Sequence, residues 1–294
     1  MSGWPKQHLH EVAEGITACV QGRGEMGVSN ASFVLEQGRA CVIDTLTFPA
    51  MAQHMAAEIK QRGARVDLVI NTHHHIDHIG GNAVFAEAQI FAHPTARHIM
   101  QAVGHPVALY DRLMPAFKGR FAAQPQVLPE PLPPDLRIPQ AGELLTFHAA
   151  HTPVDLAVWF PGPRVLLAGD LAFFGVVPLA IHGLISGWVE ALSHLLALQP
   201  VTVVPGHGYI GTADDLRIMR DFLAAALQLA RKAHATNLSL QEALTLFDPG
   251  PVGDWLEAGR IRLILERALQ EARGELDREH LIILPGGEKN HATG

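Results

Sequence analysis

The residues best suited to chemistry stand together in one short run, Thr72-His73-His74-His75-Ile76-Asp77-His78, directly after the apolar stretch Val66–Asn71. Four adjacent polar donors at the end of an apolar strand have no packing rationale, because burying polar groups without partners is costly. Imidazole and carboxylate together suit zinc, iron or manganese. On an extended segment His73 and His75, two apart, point to one side while His74 points away. Asp77 and His78 follow in the turn that starts the next helix. One ion cannot take all four donors from so short a stretch. Two ions are the natural solution, with His73 and His75 on one and Asp77 and His78 on the other. Each ion then needs ligands from elsewhere, and His151, Asp170 and His207 are the candidates, all expected at strand ends. Taken singly these have ordinary alternatives, since a lone histidine is usually structural and Asp170 could cap a helix. Gly169 and Gly206 beside them allow close backbone approach.

The elements that must position these groups are legible in outline. Segments 16–21, 28–36 and 40–44 read as strands, with Gln37-Gly38 as a hairpin tip. A helix over 48–62 follows from Met51, Met55 and Ile59 at helical spacing, and Gly63 ends it. After strand 66–71 the pattern gives a helix over 82–87, a strand over 89–93 and a helix over 95–103. Residues 104–126 read as an insertion over a site, with exposed aromatics Tyr110, Phe117 and Phe121; a Pro-rich connector runs to 139. Strands return at 144–149, 155–160 and 164–168, so that Asp170 ends an apolar strand. A helix over 187–198 leads to strand 201–204, and helices fill 213–232, 239–247 and 254–273. This order suggests a layered α/β architecture.

Composition weighs against several classes without closing them. The net charge of −7 argues against nucleic acid as a partner. No run approaches the ~20 apolar residues of a membrane span, and the first fifteen residues lack a signal-like apolar segment. The cytoplasm is the default location. Cys19 and Cys41, the two cysteines, are expected as buried core residues, not a thiolate cage. Eighteen histidines are an unusual number, and their position decides their meaning.

The order His73-x-His75-x-Asp77-His78, then His151, Asp170 and His207, resembles the metallo-β-lactamase-fold superfamily of hydrolases. The phrases Val42-Ile43-Asp44-Thr45, His151-Thr152-Pro153, Ala168-Gly169-Asp170 and Val204-Pro205-Gly206-His207-Gly208 carry the likeness across about 15–209. The resemblance implies a four-layer αββα sandwich, two mixed β-sheets flanked by helices, with a helical C-terminal region. Residues 1–235 would form the hydrolase domain and 236–294 a helical extension packed on it. The resemblance also implies two divalent ions, zinc foremost, with iron or manganese as alternatives. His73, His75 and His151 would hold one, Asp77, His78 and His207 the other, with Asp170 between them. Asp44 would orient the metal loop, or else cap the turn before the first helix. His74 is expected to be no ligand.

The expected reaction is attack by a metal-bridging hydroxide on an ester, thioester, lactone or amide-type carbonyl, with Asp77 orienting the nucleophile and relaying a proton. The segment 171–175 departs from the stretch expected of glyoxalase-II-like thioesterases, and neither Tyr110 nor Tyr209 matches a lactonase tyrosine. Walls from 104–126 and 173–185 favour a small organic substrate with a nonpolar portion. His182 is a candidate for an outer role at the site. The C-terminal helices could supply pocket walls or a homodimer face, with Trp255 as an anchor or as ordinary core. An iron-dependent oxidoreductase of dioxygenase type, a nuclease or phosphodiesterase, and a metal-stabilised binding protein are the competing classes.

Overall fold

The computed structural model describes residues 4–278 and 281; the remainder of the expected C-terminal extension lies outside the described residues. Alternation along the strands generates the layers. In the first sheet, β1 (Gln7–Ala13), β2 (Ile16–Gln21), β3 (Ala31–Glu36), β4 (Arg39–Ile43), β5 (Arg65–Asn71), β6 (Gln89–Ala92) and β7 (Glu130–Pro131) lie side by side in chain order. Pairing is antiparallel from β1 to β4 and parallel from β4 onward. The second sheet has the order β11-β10-β9-β8, built from β8 (Glu143–His148), β9 (Val154–Phe160), β10 (Val165–Phe174) and β11 (Thr202–Gly208). β10 pairs parallel with β11 and antiparallel with β9, so both sheets are mixed.

Three apolar clusters separate the four layers. Ala18, Val34, Cys41 and Ile70 from the first sheet meet Leu156, Val158, Phe160 and Leu167 from the second, which forms the central core. The opposite residues, Cys19, Phe33, Val42 and Val69, face α1 (Pro49–Gln61) through Met51, Met55 and Ile59. Ala157, Trp159, Leu166 and Ala168 face α5 (Ile185–Ala197), α6 (Ala213–Ala235) and α8 (Ile261–Ala272) on the other side. A period of two buries one set on each face, as two-sided strands require. Both cysteines are accordingly buried, in different clusters. Burial pushes the Cys19 thiol up to about 12 and raises Cys41 further.

Local signals explain most boundaries. Gln37 and Gly38 both take positive φ, 52° and 75°, as the two-residue hairpin between Glu36 and Arg39 demands. Pro49 sits in the first turn of α1, where its missing N–H costs nothing. Ser239 and Glu242 form a capping box at α7 (Leu240–Leu246). Several expectations need correction. β1 was not anticipated, because its half-exposed pattern of His and Glu lacks an apolar face. The expected helix 82–87 is a 3-10 turn, Asn82–Phe85, whose Asn82 side chain is engaged with Asn71, Thr45 and the Val127 carbonyl. The expected last helix begins only at Ile261, after two 3-10 turns, and α8 then packs with α5 and α6. Trp255 lies half-buried against the outer core.

Residues 104–126 contain α4 (Val107–Leu113) and two 3-10 turns. Phe117 and Phe121 are buried, contrary to expectation, and pack with Phe48 at 5.3 and 4.8 Å between ring centroids. The segment is therefore stapled to the first sheet's outer layer by its second half. Its first half, α4, buries no residue and stays at the mouth of a cavity.

Candidate metal centre

His73 and His75 leave the C-terminal end of β5, and Asp77 and His78 lie in the single turn α2 (Ile76–Ile79). His151 lies in the turn between β8 and β9. His207 is the last residue but one of β11, at the strand end the sequence suggested, whereas Asp170 lies inside β10. The apolar run continues through Phe174, so the strand outlasts its functional residue. The register of β10 against β11 breaks on either side of Gly169, whose φ is +52°. That bulge re-aims the chain at Asp170. A Cβ on Gly206 would stand 1.9 Å from Asp170 Oδ1, so only glycine permits this approach of β11.

The seven groups converge in two sets. Donor atoms of His73, His75, His151 and Asp170 lie within 4.8 Å of one another, as do those of Asp77, His78 and His207. Asp170 stands between them. Its Oδ2 is 3.2 Å from His151 Nε2, 3.7 Å from His73 Nε2 and 3.5 Å from His207 Nε2, while Oδ1 is 3.0 Å from His78 Nε2. Asp77 Oδ2 is 3.2 Å from His207 Nε2.

Hydrogen bonds on the far side of the rings fix which nitrogens face inward. Asp44 accepts from Thr72 N and Thr72 Oγ1, both at 2.8 Å, and from His78 Nδ1 at 2.8 Å. Thr72 Oγ1, having donated to Asp44, accepts from His73 Nδ1 at 3.0 Å. Both rings then carry a proton on the outward Nδ1 and turn Nε2 inward. His75 Nε2 lies 2.7 Å from His182 Nδ1, which leaves His75 Nδ1 facing inward, 3.0 Å from His151 Nε2. Such outer partners hold metal-ligating imidazoles in one tautomer and orientation. Asp44 does not cap α1: the residue before that helix is Phe48, and it has no side-chain cap.

The inward atoms suit a cation. His73 Nε2, His78 Nε2 and Asp170 Oδ1 are buried without a hydrogen-bond partner, although they lie close to one another. Close lone pairs that are not aligned as hydrogen bonds are costly unless a positive centre sits among them. Burial, then the neighbouring imidazoles, holds His73 and His75 well below the usual histidine range, hence neutral and able to ligate. Burial works against charge at Asp170 and Asp77 too, but the surrounding histidines keep both carboxyls below their ordinary values. Burial disfavours charge on His78 and His207 as well, but the neighbouring carboxylates raise both, His207 to about 8, so a bound cation would displace their protons. The donor set itself fits divalent metal ions of the imidazole-carboxylate kind.

His74 is not part of the four-residue set; it falls beside His75 and His182, with ring centroids 4.7 and 5.2 Å away, and donor atoms of these three residues also lie within 4.8 Å of one another. Other neighbours pack the rings in place. Phe173 stacks on His207 at 4.9 Å and 7°, and Trp188 meets His151 edge-on at 4.9 Å. Asn30 donates to the Pro205 and Gly208 carbonyls and so pins the turn around His207. None of these carries a sequence signal, since an apolar ring or an amide is legible as a support only after the chain is folded.

A cavity of about 250 Å³ opens over this floor. Asp77, Asp170 and His207 lie at its base, and Ile99, Val103, Leu109, Leu113, Leu179 and Ile181 contribute to its walls. Tyr110, unmatched in sequence, lines it as well. Burial and the Asp77 charge raise its hydroxyl to about 12, so it remains a protonated donor. Arg260, not singled out in the sequence, also borders the cavity.

Fold and floor together define a metal-dependent hydrolase, and the chain belongs to the metallo-β-lactamase superfamily, whose family profile matches residues 24–207. Among curated proteins it is similar to a hydroxyacylglutathione hydrolase of a Synechococcus strain, 26% identical over 219 residues, 71% of this chain and 74% of the relative. It also resembles the enzyme of that name from Rhodospirillum rubrum, 26% identical over 176 residues and spanning 58% of each chain. Among solved structures, a metallo-β-lactamase from Erythrobacter litoralis aligns with a TM-score of 0.58 at 16% identity, over 75% of this chain and 97% of the other. The metallo-β-lactamase FIM-1 from Pseudomonas aeruginosa aligns with a TM-score of 0.56 at 13% identity, over 75% and 96%. These structural likenesses speak to the fold. Among the described residues no helix is long and apolar enough to cross a membrane.

Proposed function

We propose that the chain is a dinuclear zinc hydrolase acting on an ester- or thioester-type carbonyl in a small organic substrate with an apolar portion. One observation carries this reading: Asp170 stands between two donor sets at the floor of a mostly apolar cavity. His73, His75 and His151 would hold one ion, Asp77, His78 and His207 the other, and Asp170 would serve both. When bound, such a pair supplies Lewis acidity and brings a water toward ionisation at neutral pH. The chain's own residues do the rest. Asp77, ionised beside His207 and facing the cavity, accepts the proton of the attacking water and passes it to the leaving group. The Tyr110 hydroxyl offers a hydrogen bond to substrate oxygen. The apolar walls exclude bulk water and strengthen these polar contacts. The names of the curated relatives, hydrolases of an acylated glutathione, favour thioesters among the candidate bonds.

A hydrolytic screen over lactams, lactones, thioesters, phosphodiesters and aryl sulfates, with Asp77→Ala as control and metal analysis of the same preparation, tests the reading. Turnover of a thioester or ester by the unmutated chain alone, with about two zinc ions bound, is expected. About one iron per chain together with oxygen consumption would replace it with the oxidoreductase reading.

A further inference from the structure

The cavity has one cationic side chain that the hydrolytic reading does not use. Arg260 is 5% exposed, yet it borders the same cavity as Asp77, Asp170 and His207. It is the only Lys or Arg among the described residues lining it. Its partners are few for a buried guanidinium with five N–H donors. Nη1 donates to the Val177 carbonyl at 3.0 Å, Nη2 lies 3.9 Å from both Met26 Sδ and Glu257 Oε1, and Nε has no partner. Glu257 is itself substantially exposed, so the 3.9 Å pair leaves the charge largely uncompensated. Asp77 and Asp170 act on Arg260 electrostatically, but both are already committed to the histidines.

The chain goes to some length to hold this group here. Leu256 bridges to Val176, its N–H donates to the Gly175 carbonyl, and the Val177 N–H donates back to Leu256. Glu257 then takes a left-handed φ of 59°, uncommon for a residue with a Cβ, and turns the chain so that Arg260 is delivered inward ahead of α8. A buried, under-partnered cation is retained where something anionic completes it.

We infer that Arg260 anchors a carboxylate of the substrate, so that the substrate is an amphiphilic monoanion: an apolar body against the cavity walls and a carboxylate on the guanidinium. A single guanidinium in apolar surroundings matches one negative charge, and its planar fork matches a carboxylate. The inference rests on the hydrolase reading for the reacting bond, but not for the anion.

Binding without turnover separates the two. Isothermal titration of the protein as purified, with its metal, would compare 4-phenylbutyrate with the neutral isostere 4-phenylbutanamide. The unmutated chain is expected to favour the carboxylate by about tenfold or more, the scale of a hydrogen bond to a charged group. R260Q keeps a donor for Val177 and removes the charge; it should lose the preference while amide binding stays level. R260K keeps the charge without the fork and should retain part of the preference, which decides the matter if R260Q fails to fold by circular dichroism. No preference in the unmutated chain overturns the inference, and so does an undiminished one in either variant, since the anion would then sit on the histidine floor. A chain that turns over nothing in the screen yet shows an Arg260-dependent preference would keep this inference and lose the hydrolase reading.

Discussion

The floor of the cavity and its roof are held in different ways. Each floor residue is carried by a strand or by the turn beside one, from both sheets, and the rings of His73, His75 and His78 are fixed from behind by Thr72, His182 and Asp44. The roof comes from connections: α4, whose Leu109 and Leu113 are 37% and 42% exposed, the segment after β10, and the approach to α8. Reactive geometry has to be held to fractions of an ångström, and strands cross-braced by two sheets do that. Substrate walls tolerate variation, and connections supply it. The contrast divides the molecule into a part that sets the reaction and a part that sets what is admitted.

Variants can break that contrast at graded strength. The largest effect is expected for Asp170→Ala, which removes the group standing between the two donor sets. Turnover should fall on the order of a thousandfold and bound metal should drop, as read by kinetics and elemental analysis of one preparation. Retained activity with full metal would show that the floor is not organised around Asp170. Next comes Asp44→Ala, which does not line the cavity but frees Thr72 and His78; metal affinity should weaken by about 10- to 100-fold in competition with a chelator. His182→Ala removes only the partner of His75 and should fall at the low end of that range.

On the roof, the double variant Leu109→Ser, Leu113→Ser should raise KM for an apolar ester several-fold, leave kcat and metal content unchanged, and hardly alter the melting temperature. Partly exposed leucines contribute only a fraction of the roughly 1.5–3 kcal/mol of full burial. A fall in kcat there would erase the division between floor and roof. The smallest effect is expected at Cys19 and Cys41. With burial raising both thiols, neither should react with iodoacetamide at pH 8 in the folded protein, and both should react once it is unfolded.

The sequence alone marked the run His73–His78, because four polar groups after an apolar strand have no other economical explanation, and the likeness to a known family singled out His151, Asp170 and His207, the last two beside glycines. Apolar runs marked most strands of the two sheets, a turn dipeptide the hairpin at Gln37-Gly38, and helical spacing of Met51, Met55 and Ile59 helix α1. Tertiary structure decided what periodicity does not encode. It buried Phe117 and Phe121 against Phe48, turned 82–87 into a 3-10 turn around Asn82, and ran β10 past Asp170 by bulging at Gly169. It also brought Thr72 and His182 behind the metal-facing histidines, and Arg260, 183 positions after Asp77, to the same cavity. A ligand set can be legible in sequence because its chemistry requires particular residue types at short spacing. A wall or an anchoring cation can be almost any residue of the right polarity, and only the folded chain selects which one arrives.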